Sequence, residues 1–152
     1  RLTSPEKGAI SFQGELALTP EQLADFDPVK DGMRLVLNDS GTTVRDFVIP
    51  GGAYDRTIRK GWKINKAGTK WSYVNGTKTP LGDITTWTIK KSTRTPGALT
   101  FSLKTKGGTY DVSPAVAAQI ALGTGPCFGV EFPGPLPPVC AYNADQSLLN
   151  CR

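Results

Sequence analysis

The chain has no histidine, one methionine and three cysteines in 152 residues. Lacking histidine, it lacks the commonest general base and metal ligand, and with them serine–histidine and cysteine–histidine nucleophilic catalysis. No G-x-x-x-x-G-K-[ST] loop is present to cradle a phosphate. No apolar run approaches the ~20 residues that a membrane-crossing helix needs, so no membrane insertion is expected. Acids are dispersed as well: neither Asp83 nor Glu131 stands beside a second carboxylate, so no paired-acid hydrolytic site is legible. These absences point away from an enzyme, and no cofactor is expected.

The cysteines, Cys127, Cys140 and Cys151, all lie in the last quarter of the chain. They are too far apart for the close pairs of a zinc ribbon, and there is no histidine to complete a mixed site. A disulfide among them is expected, which indicates an oxidising, extracytoplasmic compartment. Three cysteines leave one over, either inert or paired between chains, and Cys127 is a poor nucleophile without a histidine partner. The chain starts at Arg1 rather than methionine, as a processed form whose signal peptide has been removed would. A secreted, cell-surface location is therefore expected.

What the sequence has in quantity is turn formers and alternation, with Gly 17 and Pro 12. Gly8 to Leu18 alternates cleanly, with Ile10, Phe12, Leu16 and Leu18 on one face and Ser11, Gln13 and Glu15 on the other. Thr19 and Pro20 open a short helical turn. Further strands are read at Met33–Leu37, Thr43–Ile49, Lys70–Val74, Ile84–Ile89, Ala98–Lys104, Thr109–Val112 and Cys127–Phe132, with a polar strand or loop over Ala53–Lys60 leading to Trp62. Ser113–Leu122 suits either a capped helix or a strand, and the β context favours a strand. Asn75-Gly76 is expected to form a type I′ turn, with Lys70–Val74 before it and Ile84–Ile89 pairing back as the central hairpin of an antiparallel sheet.

The fold class expected is all-β: an antiparallel β-sandwich or jelly-roll-like domain of about 9–10 short strands with a disulfide-stapled C-terminal tail. Residues 1–18 form an N-terminal arm and first strand, 19–132 the sandwich, and 133–152 a proline-rich tail in which Pro133 to Pro138 cannot supply ladder donors.

Four candidate features follow. Asp25, Asp27 and Asp31 precede Gly32 in a calcium-loop-like cluster, but the spacing departs from D-x-[DN]-x-[DN]-G, so an ordinary turn and no metal are expected. Trp62, Trp71, Tyr73 and Trp87 would make a sugar-stacking platform if exposed on one face, or core if not. Asn38-Asp39-Ser40 and Asn75-Gly76-Thr77 match the glycosylation sequon and are equally well read as turns. The charge of +5 is spread among threonines and serines rather than gathered in a run. That pattern is read as solvated strand faces, with no nucleic-acid partner.

Taken in order, Gly61-Trp62-Lys63, Lys70-Trp71-Ser72-Tyr73, Thr88-Ile89-Lys90, Pro96-Gly97-Ala98-Leu99, Lys106-Gly107-Gly108-Thr109-Tyr110 and Gly125-Pro126-Cys127-Phe128 with Phe132 form a series. Over roughly residues 30 to 151 this series resembles a family of uncharacterised secreted β-rich proteins of environmental bacteria. The resemblance implies a secreted β domain and carries no activity or catalytic residue. The proline run before Cys140 departs from the family pattern and leaves the cysteine pairing open.

Two functions are consistent with these features. The favoured one is a structural subunit of an extracellular filament or surface polymer. Its copies would pair through the first strand, with Ile10, Phe12, Leu16 and Leu18 entering a neighbour's sheet as a pilus-like donor strand. The alternative is a secreted carbohydrate-binding module whose exposed Trp and Tyr stack on polysaccharide.

Overall fold

The computed structural model describes residues 8–39, 41–77, 83–109, 116–121, 127–131, 140–144 and 148–151. The arm Arg1–Lys7, Tyr110 to Ala115, the Gly125-Pro126 motif, Phe132 and the proline run of the tail lie outside the described residues. Among those described are eleven strands and two short helices: β1 (Ala9–Ala17), α1 (Pro20–Asp25), α2 (Pro28–Asp31), β2 (Met33–Asp39), β3 (Thr42–Ile49), β4 (Lys60–Ile64), β5 (Lys70–Asn75), β6 (Ile84–Lys91), β7 (Ala98–Thr105), β8 (Val116–Ala121), β9 (Cys127–Glu131), β10 (Cys140–Tyr142) and β11 (Leu148–Cys151).

These strands make two sheets, ordered β10-β11-β1-β7-β6-β5-β4 and β3-β2-β8-β9. Every pairing is antiparallel except β1 with β11. One apolar cluster lies between the sheets, joining Ile10, Phe12, Trp62, Tyr73, Trp87 and Leu103 of the large sheet to Leu35, Leu37, Phe47, Ile49 and Ile120 of the small one. Each such side chain stabilises the fold by about 1.5–3 kcal/mol relative to exposure. The expected all-β sandwich with a disulfide near its end is therefore what the chain forms.

Local chemistry explains how the strands are joined. Thr19 caps α1 by accepting from the Gln22 N–H, while the Gln22 side chain accepts from the Thr19 N–H and Pro20 occupies the first turn. In the β4–β5 turn the Asn65 side chain accepts from the N–H groups of Thr69 and Lys70, and Gly68 takes φ 63°. Val116–Ala121 is a strand, pairing with both β2 and β9.

Two expectations are corrected. Asn75-Gly76 is not a I′ turn, since neither residue has positive φ. Asn75 instead ends β5 in a buried position, where its amide donates to Asp83 and its carbonyl accepts from the N–H and hydroxyl of Thr77. That side chain competes with the backbone turn, and the Gly76 N–H is taken by the Arg59 carbonyl. The hairpin read across it does form, β5 running antiparallel to β6, but it lies off the centre of the sheet, whose last strand is β4. Residues 52–55 run beside it: Trp62 N–H donates to Gly52 O, and Tyr54 N–H donates to Trp62 O. The segment read as a polar strand or loop thus covers an edge that would otherwise be open to another chain.

Candidate functional site

Alternation along β1 sends Ile10, Phe12 and Leu16 inward, and Leu18 follows in the same phase. All four, the side chains assigned to a subunit interface, are buried within this chain. The Ile10 N–H donates to the buried Thr105 hydroxyl at 2.9 Å, which satisfies both groups. Gly14 shares this phase. A Cβ there would stand 3.1 Å from the Phe101 ring, so its bare backbone makes room for that ring.

The aromatic residues follow the same rule. Trp62, Tyr73, Trp87, Leu103, Phe12, Cys151 and Cys140 are successive partners across all seven strands, from β4 to β10. Trp62, Trp71, Tyr73 and Trp87 are between 0% and 4% exposed. They are core, with Trp62 Nε1 donating to Pro50 O and Trp71 packed edge-on against Phe26. The sugar-stacking platform needed exposed rings, and inward phase on consecutive strands denies it that. Burial, with Asp83 nearby, pushes the Tyr73 phenol up to about 12.

The acid cluster is used locally. Asp27 caps α2 by accepting from the N–H groups of Val29 and Lys30, and Gly32 at φ 71° closes that turn. Among the described residues, Asp25, Asp27 and Asp31 are not part of any group of acids, histidines or cysteines able to hold a metal ion. Cys140 and Cys151 are bonded to each other and sit opposite one another in the β10–β11 pairing, while Cys127 is a free, exposed thiol on β9. The bond accords with a non-reducing compartment. No helix among the described residues is long and apolar enough to cross a membrane.

The other phase of the large sheet gathers residues that the linear sequence keeps apart. A row of polar side chains crosses it as Lys63, Ser72, Thr88, Ser102 and Gln13, on β4, β5, β6, β7 and β1. On one side of that row lie the paired positions Lys70, Lys90, Thr100 and Glu15. On the other lie Val74, Thr86, Lys104 and Ser11. Lys63 Nζ rests 3.8 Å from the centroid of the Tyr54 ring, a cation–π contact that anchors one end of the row. Lys63, Lys70, Lys90, Lys104 and Glu15 are all exposed. None of them makes an ion pair among the described residues. Lys70 and Lys90 are direct cross-strand partners, an arrangement in which like charges destabilise.

The outer face of the small sheet differs. There Arg34 holds Asp46 in a bidentate pair at 2.8 and 2.6 Å, and its hydrogen bonds keep the Asp46 carboxyl below the usual carboxylate range. Cys127 lies on this side, in the row formed by Val48, Arg34 and Ala121. The large sheet therefore carries a band of hydroxyls ringed by uncompensated ammonium groups, chemistry suited to holding a polyol or an anion. The sequence holds the signal for this band in the threonine–lysine alternation from Thr85 to Lys91, but nothing local indicates that four strands add to it. Comparison with protein-family models, with curated proteins and with solved structures finds no match to this chain.

Proposed function

We propose that the protein is a secreted, non-catalytic binding module for polysaccharide, acting through the outer face of its large sheet. The observation that carries this reading is the hydroxyl row Ser72, Thr88 and Ser102, bounded by Lys63, Lys70, Lys90 and Lys104 and free of acids except Glu15. Ser and Thr hydroxyls both donate and accept, matching the hydroxyls of a sugar chain. The Cys140–Cys151 bond supports an extracellular setting. The test is co-sedimentation with a panel of neutral and acidic polysaccharides, using the chain and a Thr88→Phe, Ser102→Phe variant that obstructs the face without changing charge. Binding that the variant loses supports the module. Binding that persists, or none at all, overturns it.

Self-assembly through β1 is the second reading, favoured by one feature of the topology. Among the described strands, β1 alone joins the disulfide-bonded β10–β11 hairpin to the rest of the large sheet. The same pairing made by β1 of a neighbouring copy would join subunits into a filament with every contact retained. Light scattering of native material tests it: concentration-dependent oligomers that disappear on deletion of residues 8–18 support exchange, and a monomer at all concentrations refutes it.

A further inference from the structure

We propose that the ligand of the large sheet's outer face is a linear acidic polysaccharide, one bearing carboxylate or sulfate groups, with its anionic groups seated at the Lys70–Lys90 pair and at Lys104. The inference rests on the binding-module reading above and adds the chemical class of the ligand. Lys70 and Lys90 are opposed on neighbouring strands, roughly 5 Å apart at the backbone. Two ammonium groups borne on opposed positions repel, and one anionic group between them converts the repulsion into two attractions. Lys104 lies four positions along β7 from Thr100, the partner of Lys90, which puts roughly 14 Å between the two cationic points. Between them stand Thr88 and Ser102, with Thr86 opposite Lys104, hydroxyls suited to uncharged parts of a sugar chain rather than to further anions.

A nucleic acid carries negative charge too, but this face offers little of what nucleic acids use. No arginine is among its cations to form bidentate phosphate contacts. Tyr54, beside it, already holds Lys63 against its ring, which leaves at most one ring face for stacking on bases. Glu15, at the far end of the Lys70 row, limits the cationic track to the β4–β7 side.

The experiment measures binding of the full chain to polygalacturonate, heparin, dextran and a duplex DNA over a range of salt concentrations, alongside a Lys70→Gln, Lys90→Gln variant. Arg34→Gln, on the opposite side of the sandwich, serves as a control. The expected result is binding to the acidic polysaccharides and not to dextran, weakening as salt screens the charges. In the double variant it falls about threefold to tenfold with a melting temperature no lower than the parent's, and the control leaves it unaltered. Equal binding to dextran, insensitive to salt and to the lysine changes, overturns the acidic ligand while leaving the binding face in place. DNA bound as tightly as polygalacturonate overturns the polysaccharide assignment. Failure to bind any polymer removes both this inference and the reading beneath it.

Discussion

The two faces of the large sheet are built from the same strands, one residue out of phase, yet they answer to different physics. On the inner face Trp62, Tyr73, Trp87, Leu103 and Phe12 line up across five strands and meet the small sheet. On the outer face the neighbouring positions are Lys63, Ser72, Thr88, Ser102 and Gln13. The first set is chosen by packing, because close-packed interiors punish any change in volume. Packing places no such demand on the second set, so its composition is open to a ligand's requirements. Core packing and surface chemistry are thereby separated by a single-residue step along each strand.

The sharpest way to break this comparison is to truncate one side chain on each face. Trp87→Ala should cost about 3–5 kcal/mol, a large share of the roughly 5–15 kcal/mol that holds a domain together, whereas Thr88→Ala should stay within about 0.5 kcal/mol. Denaturant titration of both variants decides, and similar costs would mean that the outer face is also packed. Reduction of Cys140–Cys151 comes next, with an expected loss of roughly 2–4 kcal/mol for a loop of this size. A second titration under reductant reads it directly. Gly61→Ala should be harmful although Gly61 shares the outer phase with Val74 and Thr86. Its φ is 126° and a Cβ would stand 2.6 Å from the Ala53 carbonyl, so a penalty of about 1–3 kcal/mol is expected. A neutral outcome would mean that residues 52–55 do not hold the β4 edge.

The pH dependence probes the inner face by another route. Burial raises the Tyr73 phenol in the folded state to about 12, above the ordinary tyrosine value of about 10. Its neutral form is favoured in the folded state, so that contribution is fully present below pH 10 and is lost as pH rises from 10 towards 12. Tyr73→Phe should remove this alkaline loss, as thermal melts between pH 8 and 11 would reveal. The smallest effect lies outside. Lys70→Glu replaces a like pair opposite Lys90 with an opposite pair and should raise stability by a few tenths of a kcal/mol. The same change should weaken binding to an acidic polysaccharide, and loss of both stability and binding would contradict the view that these lysines serve the ligand alone.

Much of the fold was legible because alternation is a local property. The pattern from Ile10 to Leu18 gave its strand, its phase and its buried set, and Thr19 with Pro20 announced α1. Asn75-Gly76 misled because the turn rule considers only the backbone, while the buried Asn75 side chain takes partners eight residues on, at Asp83, and beside it, at Thr77. The tryptophans were ambiguous for a related reason: alternation reveals which side chains share a face, but not which face meets the second sheet.

The sequence by itself determined that this is a β-sandwich, where most strands lie and which residues along each strand share a side, since all of these follow from two-residue periodicity and turn chemistry. Only the tertiary structure decided that β1 sits between β7 and β11, that Cys140 pairs with Cys151 and leaves Cys127 free, and that Lys63, Lys70, Lys90 and Lys104 gather on one surface. These depend on register between strands far apart in the chain, and register is set by the packing of a shared core.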